Sequence, residues 1–341
     1  MQKPISQKMT KTNTIYTLTA NPALDLSGVV DRIVPNEKNY VYAETRYPGG
    51  NAINVARLLT RSSIPVCATG FLGGSVGNEI RGLLDKEHVE HDFIEVRGQT
   101  RISITVSNKK THQQTRLSFP GPKIQKKEIT SLCNRISKTS QGSWLVIGGS
   151  CPPGFSTRDL NQVIHIAQSR KMHIVLDVPG SLLKTANLNG LVLIKPNLTE
   201  FQELIGKKVT SMNAIVDAAK KIAQKVRFVC VSSVNGGALL VSRDSLWFGT
   251  PPPIKIRSTV GAGDSMVAGM VAELWKTRAN NGAATEGKLE PQLLRRGLAF
   301  AATTLSTEGT KLGNSKDIKK LYPKVKITQI GIDGSISNQV V

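Results

Sequence analysis

Acidic residues are scarce in this 341-residue chain: 24 Asp and Glu stand against 45 Lys and Arg, a formal net charge of +21. Aromatics are 5% of the residues and cysteines number four. The basic excess raises nucleic-acid binding, which needs a clustered basic face. The basic residues instead come as scattered pairs, Lys109-Lys110, Lys126-Lys127, Lys207-Lys208, Lys220-Lys221, Arg295-Arg296 and Lys319-Lys320, with few aromatics among them. The charge therefore reads as a solvated basic surface, compatible with a mild funnel for anionic substrates, and nucleic acid is not expected as a partner. Cys67, Cys133, Cys151 and Cys230 show no metal-type pairing, and three lie in or beside apolar runs, where free buried thiols sit. That fits a reducing, cytoplasmic compartment. No run of residues approaches an uninterrupted apolar span, so no membrane segment is expected. Residues 1–14 are polar and basic without the apolar stretch of a signal peptide and read as a flexible tail.

At 39% hydrophobic and 20% charged, the composition is that of an ordinary globular protein, and the length suffices for a large core. Apolar, β-branched runs alternate with helical patterns. Strands are expected at 15–19, 66–70, 144–148, 174–177, 191–194 and 228–231, and helices at 54–59, 160–170, 198–205 and 214–225. Continuous apolar strands separated by helices imply a parallel sheet covered on both faces. Two stretches, 29–47 and 100–119, alternate polar with apolar residues and read as exposed antiparallel strands of a small β lid. In parallel α/β sheets, ligands sit beyond the carboxyl ends of the strands. Residues 21–25, Gly148-Gly149-Ser150, Asp177, Lys195-Pro196-Asn197 and Ser232-Ser233 all fall there. Asp177, ending its strand, reads as structural.

The most informative stretch is Ser258-Thr259-Val260-Gly261-Ala262-Gly263-Asp264-Ser265-Met266-Val267-Ala268-Gly269. Its glycines allow a sharp turn and close approach to a ligand, and an apolar helix-forming run follows. A glycine turn opening a helix aims free backbone N–H groups outward at the positive end of the helix dipole, which makes an anion site. A carboxylate beside it suits a base that takes a proton from a hydroxyl while the N–H groups hold the charge of a phosphoryl group. On this motif alone Asp264 serves equally well as a helix cap. No Lys-Ser/Thr follows, which excludes a Walker A loop, and Met266 stands where a dinucleotide fingerprint needs its third glycine. A second glycine turn, Pro48-Gly49-Gly50-Asn51-Ala52-Ile53-Asn54-Val55-Ala56, enters another helix, and Lys195-Pro196-Asn197-Leu198-Thr199-Glu200 starts a third. Either stretch alone is a weak signal.

In this order and at these separations, the three stretches resemble the PfkB/ribokinase family of sugar kinases, over about residues 15–311. The phosphosugar branch is resembled further through Tyr16-Thr17-Leu18-Thr19-Ala20-Asn21-Pro22-Ala23-Leu24-Asp25, Gly149-Ser150-Cys151-Pro152-Pro153-Gly154 and Pro251-Pro252-Pro253. The resemblance implies a ribokinase-like three-layer α/β/α sandwich with a mostly parallel central sheet and a small β-sheet lid. The kinase domain would span 15–325, and 326–341 would be a C-terminal extension. It implies an ATP-dependent kinase of a ketohexose phosphate, with ATP as co-substrate and Mg2+ as cofactor. Fructose 6-phosphate leads, and 1-phosphofructokinase and tagatose-6-phosphate kinase activities are close alternatives. Asp264 would be the base, with Gly261, Ala262 and Gly263 as the anion hole. Asp25, Gly50 and Asn54 would grip sugar hydroxyls. Arg101 and Ser150, with Lys38 reaching from the lid, would hold the existing phosphate. Lys195 and Asn197 would face the nucleotide phosphates, Glu200 would act through magnesium and its waters, and Ser232 and Gly237 would line the nucleotide pocket. Two departures stand out. Asn51-Ala52 replaces a frequent Lys-Gly, and Val234 replaces a usual glycine, where a side chain would crowd the nucleotide. A catalytically silent sugar-phosphate sensor is the alternative of another class; it would lack Asp264 or the anion-hole glycines, and all are present. A homodimer through the lid is expected, because an open sheet edge invites pairing with a second chain.

Overall fold

A computed structural model describes residues 14–111, 113–279, 289–331 and 336–340. Strand β1 (Ile15–Thr19) enters the core, and β2 (Ala23–Val30) and β3 (Tyr42–Gly49) leave it for the lid. Helix α1 (Asn51–Arg61), β4 (Val66–Leu72) and α2 (Gly74–Lys86) return to the main body. Two short edge strands follow, β5 (Glu90–His91) and β6 (Ile94–Glu95), and then the second pair of lid strands, β7 (Arg101–Asn108) and β8 (Gln114–Ser118). The α/β alternation resumes with α3 (Lys126–Ser137), β9 (Trp144–Gly148), α4 (Thr157–Ser169), β10 (His173–Asp177), α5 (Gly180–Leu183), β11 (Leu193–Ile194), α6 (Leu198–Ile205), α7 (Met212–Ala223) and β12 (Phe228–Val234). The remainder comprises β13 (Gly237–Val241), β14 (Leu246–Thr250), α8 (Ala262–Ala279), α9 (Leu289–Leu305), α10 (Ser315–Leu321), β15 (Lys326–Ile330) and β16 (Ile336–Val340).

The main sheet runs β16-β15-β14-β13-β12-β11-β10-β9-β1-β4-β5. Pairing is parallel from β12 through β5 and antiparallel from β12 through β16. Side chains of a strand alternate between faces, and β9 shows the consequence. Trp144 and Val146 join the core layer under α1, α8 and α9, while Leu145 and Ile147 join the layer under α3, α4, α6 and α7. This is the expected three-layer sandwich. Helix α8 is apolar around its whole circumference because neighbours enclose it; eleven consecutive residues, Asp264 through Leu274, are buried. No described helix is long and apolar enough to cross a membrane.

The lid is a separate four-stranded sheet of order β3-β2-β7-β8. Pairing is antiparallel for β2 with β3 and for β7 with β8, as expected, but parallel between β2 and β7. Within 29–47, residues 31–41 form a loop, and strand β2 begins at Ala23, only four residues after β1. Asp25 therefore stands on a lid strand, not in a loop. The expected C-terminal boundary also moves. Lys326–Ile330 pairs with β14, Ile327 facing Gly249, and its Ile327 and Ile330 are buried in the core. The sandwich thus continues past residue 325. The tail expected at 1–14 lies, but for Thr14, outside the described residues.

Candidate active site

The carboxyl ends of β10, β11 and β12 converge below the lid on a cleft of about 720 Å3, and those of β1 and β9 open on an adjoining pocket. Helix α8 points its first turn into the cleft. The Gly261 carbonyl accepts the first helical bond, from the Ser265 amide at 2.9 Å, so the amides of Ala262, Gly263 and Asp264 belong to the turn that helix geometry leaves unpaired. Gly261 has φ +75°, a conformation that disfavours any side chain. The Asp264 carboxylate, 8% exposed, accepts a hydrogen bond from Asn54 Nδ2 at 2.8 Å. Burial pushes its pKa up to about 7, and the Asp177 carboxylate adds to the rise; the Asn54 bond and Lys195 act against it. A carboxyl at that value is placed to take a proton near neutral pH.

Asn54 reaches this position because α1 starts where it does. Gly50 precedes the helix with φ +120°, and a Cβ there would meet Thr19 Cγ2 at 2.6 Å. The Ile53 amide donates to Thr19 Oγ1 at 2.9 Å, tying the first turn of α1 to the end of β1.

The far wall carries the other charges. Lys195 is 4% exposed and pairs with Asp177 at 3.2 Å. Burial works against the Lys195 ammonium, yet Asp177 and Glu200 outweigh it and hold its pKa above the ordinary lysine value. Lys195 Nζ lies beside Gly263, where an added Cβ would sit 3.4 Å from it. Asn197 caps α6: its Oδ1 accepts from the Glu200 amide at 2.9 Å, and Glu200 Oε2 accepts from the Asn197 amide at 2.8 Å. This capping box explains the local sequence and commits one Glu200 oxygen. Burial raises the Glu200 pKa, an effect the Asn197 amide and Lys195 oppose and Asp177 reinforces. Among the described residues no group of three or more acidic, histidine or cysteine side chains is set to hold a metal ion directly, so a hard cation here would be held by Glu200 and Asp177 through water.

From the lid, Asp25, Arg101, Ser103 and Arg116 face down into the cleft. The Arg101 guanidinium donates to the Asn21 carbonyl at 3.1 and 3.3 Å and to the Phe119 carbonyl at 3.2 Å. Burial pushes the Asp25 carboxyl up to about 6 against the pull of Arg116, Arg101 and Arg57. A side pocket of about 220 Å3 joins Asn21, Asn51, Arg101, Ser150, Asp177 and Glu200 among its walls. Asn21 Nδ2 donates to Ser150 Oγ there at 3.2 Å.

The family model for the pfkB family carbohydrate kinases matches residues 16–317. The chain is a pfkB-family carbohydrate kinase. Family membership makes it a transferase that binds ATP and phosphorylates a sugar hydroxyl. It is 32% identical to 1-phosphofructokinase of Bacillus subtilis over 93% of this chain and 100% of that one. It is 33% identical to the ATP-dependent 6-phosphofructokinase isozyme 2 of Escherichia coli over 90% of this chain and 97% of that one. Among solved structures, Escherichia coli phosphofructokinase-2 in complex with substrates and products superposes with a TM-score of 0.84 at 32% identity, covering 91% and 98% of the two chains.

Most site residues expected in this kinase line one cleft: Asp25, Gly50, Asn54, Arg101, Lys195, Asn197, Glu200, Ser232, Gly237, Gly261, Ala262, Gly263 and Asp264. Ser150 lines the side pocket instead. Lys38 sits on the exposed loop between β2 and β3, 4.9 Å from the Tyr40 ring centroid, and forms no part of the cleft wall. Further residues that were assigned no site role from sequence also line these walls. Asp177, read as structural, faces both cavities and pairs with Lys195; its position after an apolar strand was the available signal. Arg116 and Asn51 also line the cleft. The crowding expected from Val234 does not arise: its side chain is 1% exposed and packs in the core under α7, leaving Ser232, Ser233, Gly236 and Gly237 to face the cleft.

Proposed function

We propose that this kinase transfers the γ-phosphoryl group of ATP to a hydroxymethyl group of a ketohexose phosphate, with fructose 6-phosphate giving fructose 1,6-bisphosphate as the leading case. One observation carries the reading. A single cleft places a buried carboxylate at a helix N-terminus opposite two lid arginines, Arg101 and Arg116. A substrate carrying phosphate at one end and a hydroxymethyl at the other offers a group to each. Arginine forks bind phosphate oxygens in pairs. The similarity to phosphofructokinases supports the same class. C1 and C6 of a fructofuranose carry near-equivalent arms, so fructose 1-phosphate with the ring turned over, or tagatose 6-phosphate, remains the second reading.

The residues divide the work as follows. Asp264 takes the proton of the acceptor hydroxyl as its oxygen bonds to the γ-phosphorus. The bond from that phosphorus to the β–γ bridging oxygen breaks, and ADP leaves. The amides around Gly261, Ala262 and Gly263 hold the charge on the transferring group. Asp25, Gly50 and Asn54 position the sugar hydroxyls, and Arg101, Arg116 and Ser150 the existing phosphate. Lys195 and Asn197 face the nucleotide phosphates, while Ser232 and Gly237 line the nucleotide pocket. Glu200, with Asp177 beside it, suits Mg2+ held through water; bound there, the ion would neutralise phosphate charge. The kinase would dimerise through its lid, where Leu117, Phe119, Tyr40 and Val41 are exposed apolar residues, and Lys38 would then serve the second subunit's cleft. A silent sensor gains no support, since the base and anion hole are complete.

A coupled ADP-release assay over fructose 6-phosphate, fructose 1-phosphate, tagatose 6-phosphate and free fructose tests the reading. The phosphosugars should turn over, fructose 6-phosphate with the highest kcat/KM. Equal kcat/KM for free fructose would overturn it.

A further inference from the structure

Behind the base, on the next turn of α1, lies Arg57, which is 1% exposed. A guanidinium keeps its charge inside a protein and needs acceptors on every side. Glu87, at the end of α2, supplies most of them. It accepts from Arg57 Nε at 3.1 Å on both oxygens and from Nη2 at 2.6 Å, and Arg61 steadies it at 2.9 Å. Burial would raise the Glu87 carboxyl, but Arg57 and Arg61 hold it below the usual value. Nη1 donates to the Pro48 carbonyl at 3.1 Å, just before the Gly49-Gly50 turn. The guanidinium also lies 5.3 Å from the Tyr47 ring centroid. These contacts account for the burial of Arg57. One further contact points at the chemistry: Nη1 donates to Asn54 Oδ1 at 3.2 Å.

Asn54 thus has two committed ends. Its oxygen receives from Arg57, and its nitrogen donates to Asp264 at 2.8 Å. An asparagine amide can turn over and exchange those ends. Turned over, it would set a carbonyl oxygen against the Asp264 carboxylate, which favours the protonated acid. Arg57 carries donors only, so it admits the carbonyl end and excludes the turned-over state. We propose that Arg57 is a positioning residue of the phosphoryl-transfer reaction: through the Asn54 amide it keeps a hydrogen-bond donor on Asp264 and so keeps the base ionised. The inference rests on Asp264 acting as the base.

The other groups facing Asp264 do not substitute for this donor. Asp177 at the end of β10 and Asp25 from the lid both favour the protonated form, and burial adds to them. Lys195 opposes them but is shared with Asp177 and Glu200. Arg57 also acts by charge on Asp25.

The test uses the full-length enzyme with ATP and the phosphosugar chosen by the ADP-release panel. Two variants are measured: Arg57→Lys, which keeps a donor-only head, and the double variant Arg57→Gln/Glu87→Gln, which leaves no orphaned buried carboxylate. In the double variant the acid limb of kcat/KM should move up by about one unit, so the rate at pH 7 falls about fivefold and is regained by pH 9, while Arg57→Lys should move it less. The KM for ATP should hold within about threefold. Should both variants be recovered unfolded, Glu87→Gln alone, which keeps the guanidinium but releases its clamp, should move the limb the same way by less. An unmoved limb in the folded double variant, with only a lower Tm, would overturn the proposal. In an Asp264→Asn background the Arg57 substitutions should reduce the residual rate no further; a further loss of the same size would overturn it too. Normal turnover of Asp264→Asn by itself would sink the base assignment instead, a separate failure.

Discussion

At the scale of single residues, the proposed base, Asp264, is a place where function opposes stability. The Asp264 carboxyl is raised to about 7, first by burial and then by Asp177. Between about pH 4 and 7 the folded protein therefore holds a proton that the unfolded chain has released. Stability falls as pH rises through that window, and above it the ionised group carries its full penalty. Asp264→Asn removes the term while keeping an acceptor for Asn54. The variant should have a higher Tm than wild type at pH 8, with the difference shrinking toward zero at pH 4, as differential scanning calorimetry would report. A lower Tm at pH 8 would contradict the burial argument. The lid arginines allow a second prediction. Arg101→Ala or Arg116→Ala should raise KM for the phosphosugar far more than for ATP, because a charge-assisted bond to phosphate contributes about 1.5–3 kcal/mol. Equal weakening toward both substrates in steady-state kinetics would rule out the phosphate grip. Asp264 and its glycines were legible in the sequence because a glycine turn, a carboxylate and a helix start are all local signals. Asp177 and Arg116 were not. A carboxylate ending a strand gains meaning only when Lys195, from the neighbouring strand, arrives 3.2 Å away. An arginine on an alternating strand is plain surface until the lid folds over the cleft.

At the scale of elements, the core was the easier part to read. Strands such as β1 and β9 are short continuous apolar runs, and α6 declares itself through Asn197 and Glu200, a cap with its reciprocal partner. The lid was harder. Its strand β2 follows β1 after only Ala20, Asn21 and Pro22, so its first residues read as the end of β1's approach to the ligand and the lid stretch was expected to begin only at residue 29. Residues 326–330 lack a motif, and only their pairing with β14 shows that they continue the sheet. Val234 shows the limit of arguing from a residue type. Its side chain turns into the core, while Asn235 and Gly236 take positive φ to carry the turn. The lid sets the prediction for this scale. Alternate residues of β7 and β8 face the cleft, which leaves Leu117 54% and Phe119 55% exposed beside it. Multi-angle light scattering should find a dimer at micromolar concentration and a monomer for Leu117→Lys, since a buried interface tolerates an unpaired charge poorly. A fully active wild-type monomer at that concentration would contradict the lid dimer.

At the scale of the whole molecule, topology makes the site. Parallel strands bring five carboxyl ends to one edge of the sheet, where ligands gather in such folds. Among the antiparallel strands β13 to β16, β14 runs in the same sense as β12, and Pro251 just after it also lines the cleft. The lid arrives from two separate excursions, after β1 and after β6, and sets its arginines opposite the start of α8. The basic residues behind the net charge of +21 are scattered along the chain, and an overall attraction for anionic substrates is its simplest consequence. The central claim is that Asp264 takes the proton of the acceptor hydroxyl while other residues do the holding. It is tested most directly by comparing Asp264→Asn with wild type in kcat, from ADP release, and in phosphosugar affinity, from titration calorimetry. The account predicts a loss of roughly two to four orders of magnitude in kcat with affinity within a few-fold. Turnover close to wild type, or a loss confined to binding, would contradict it.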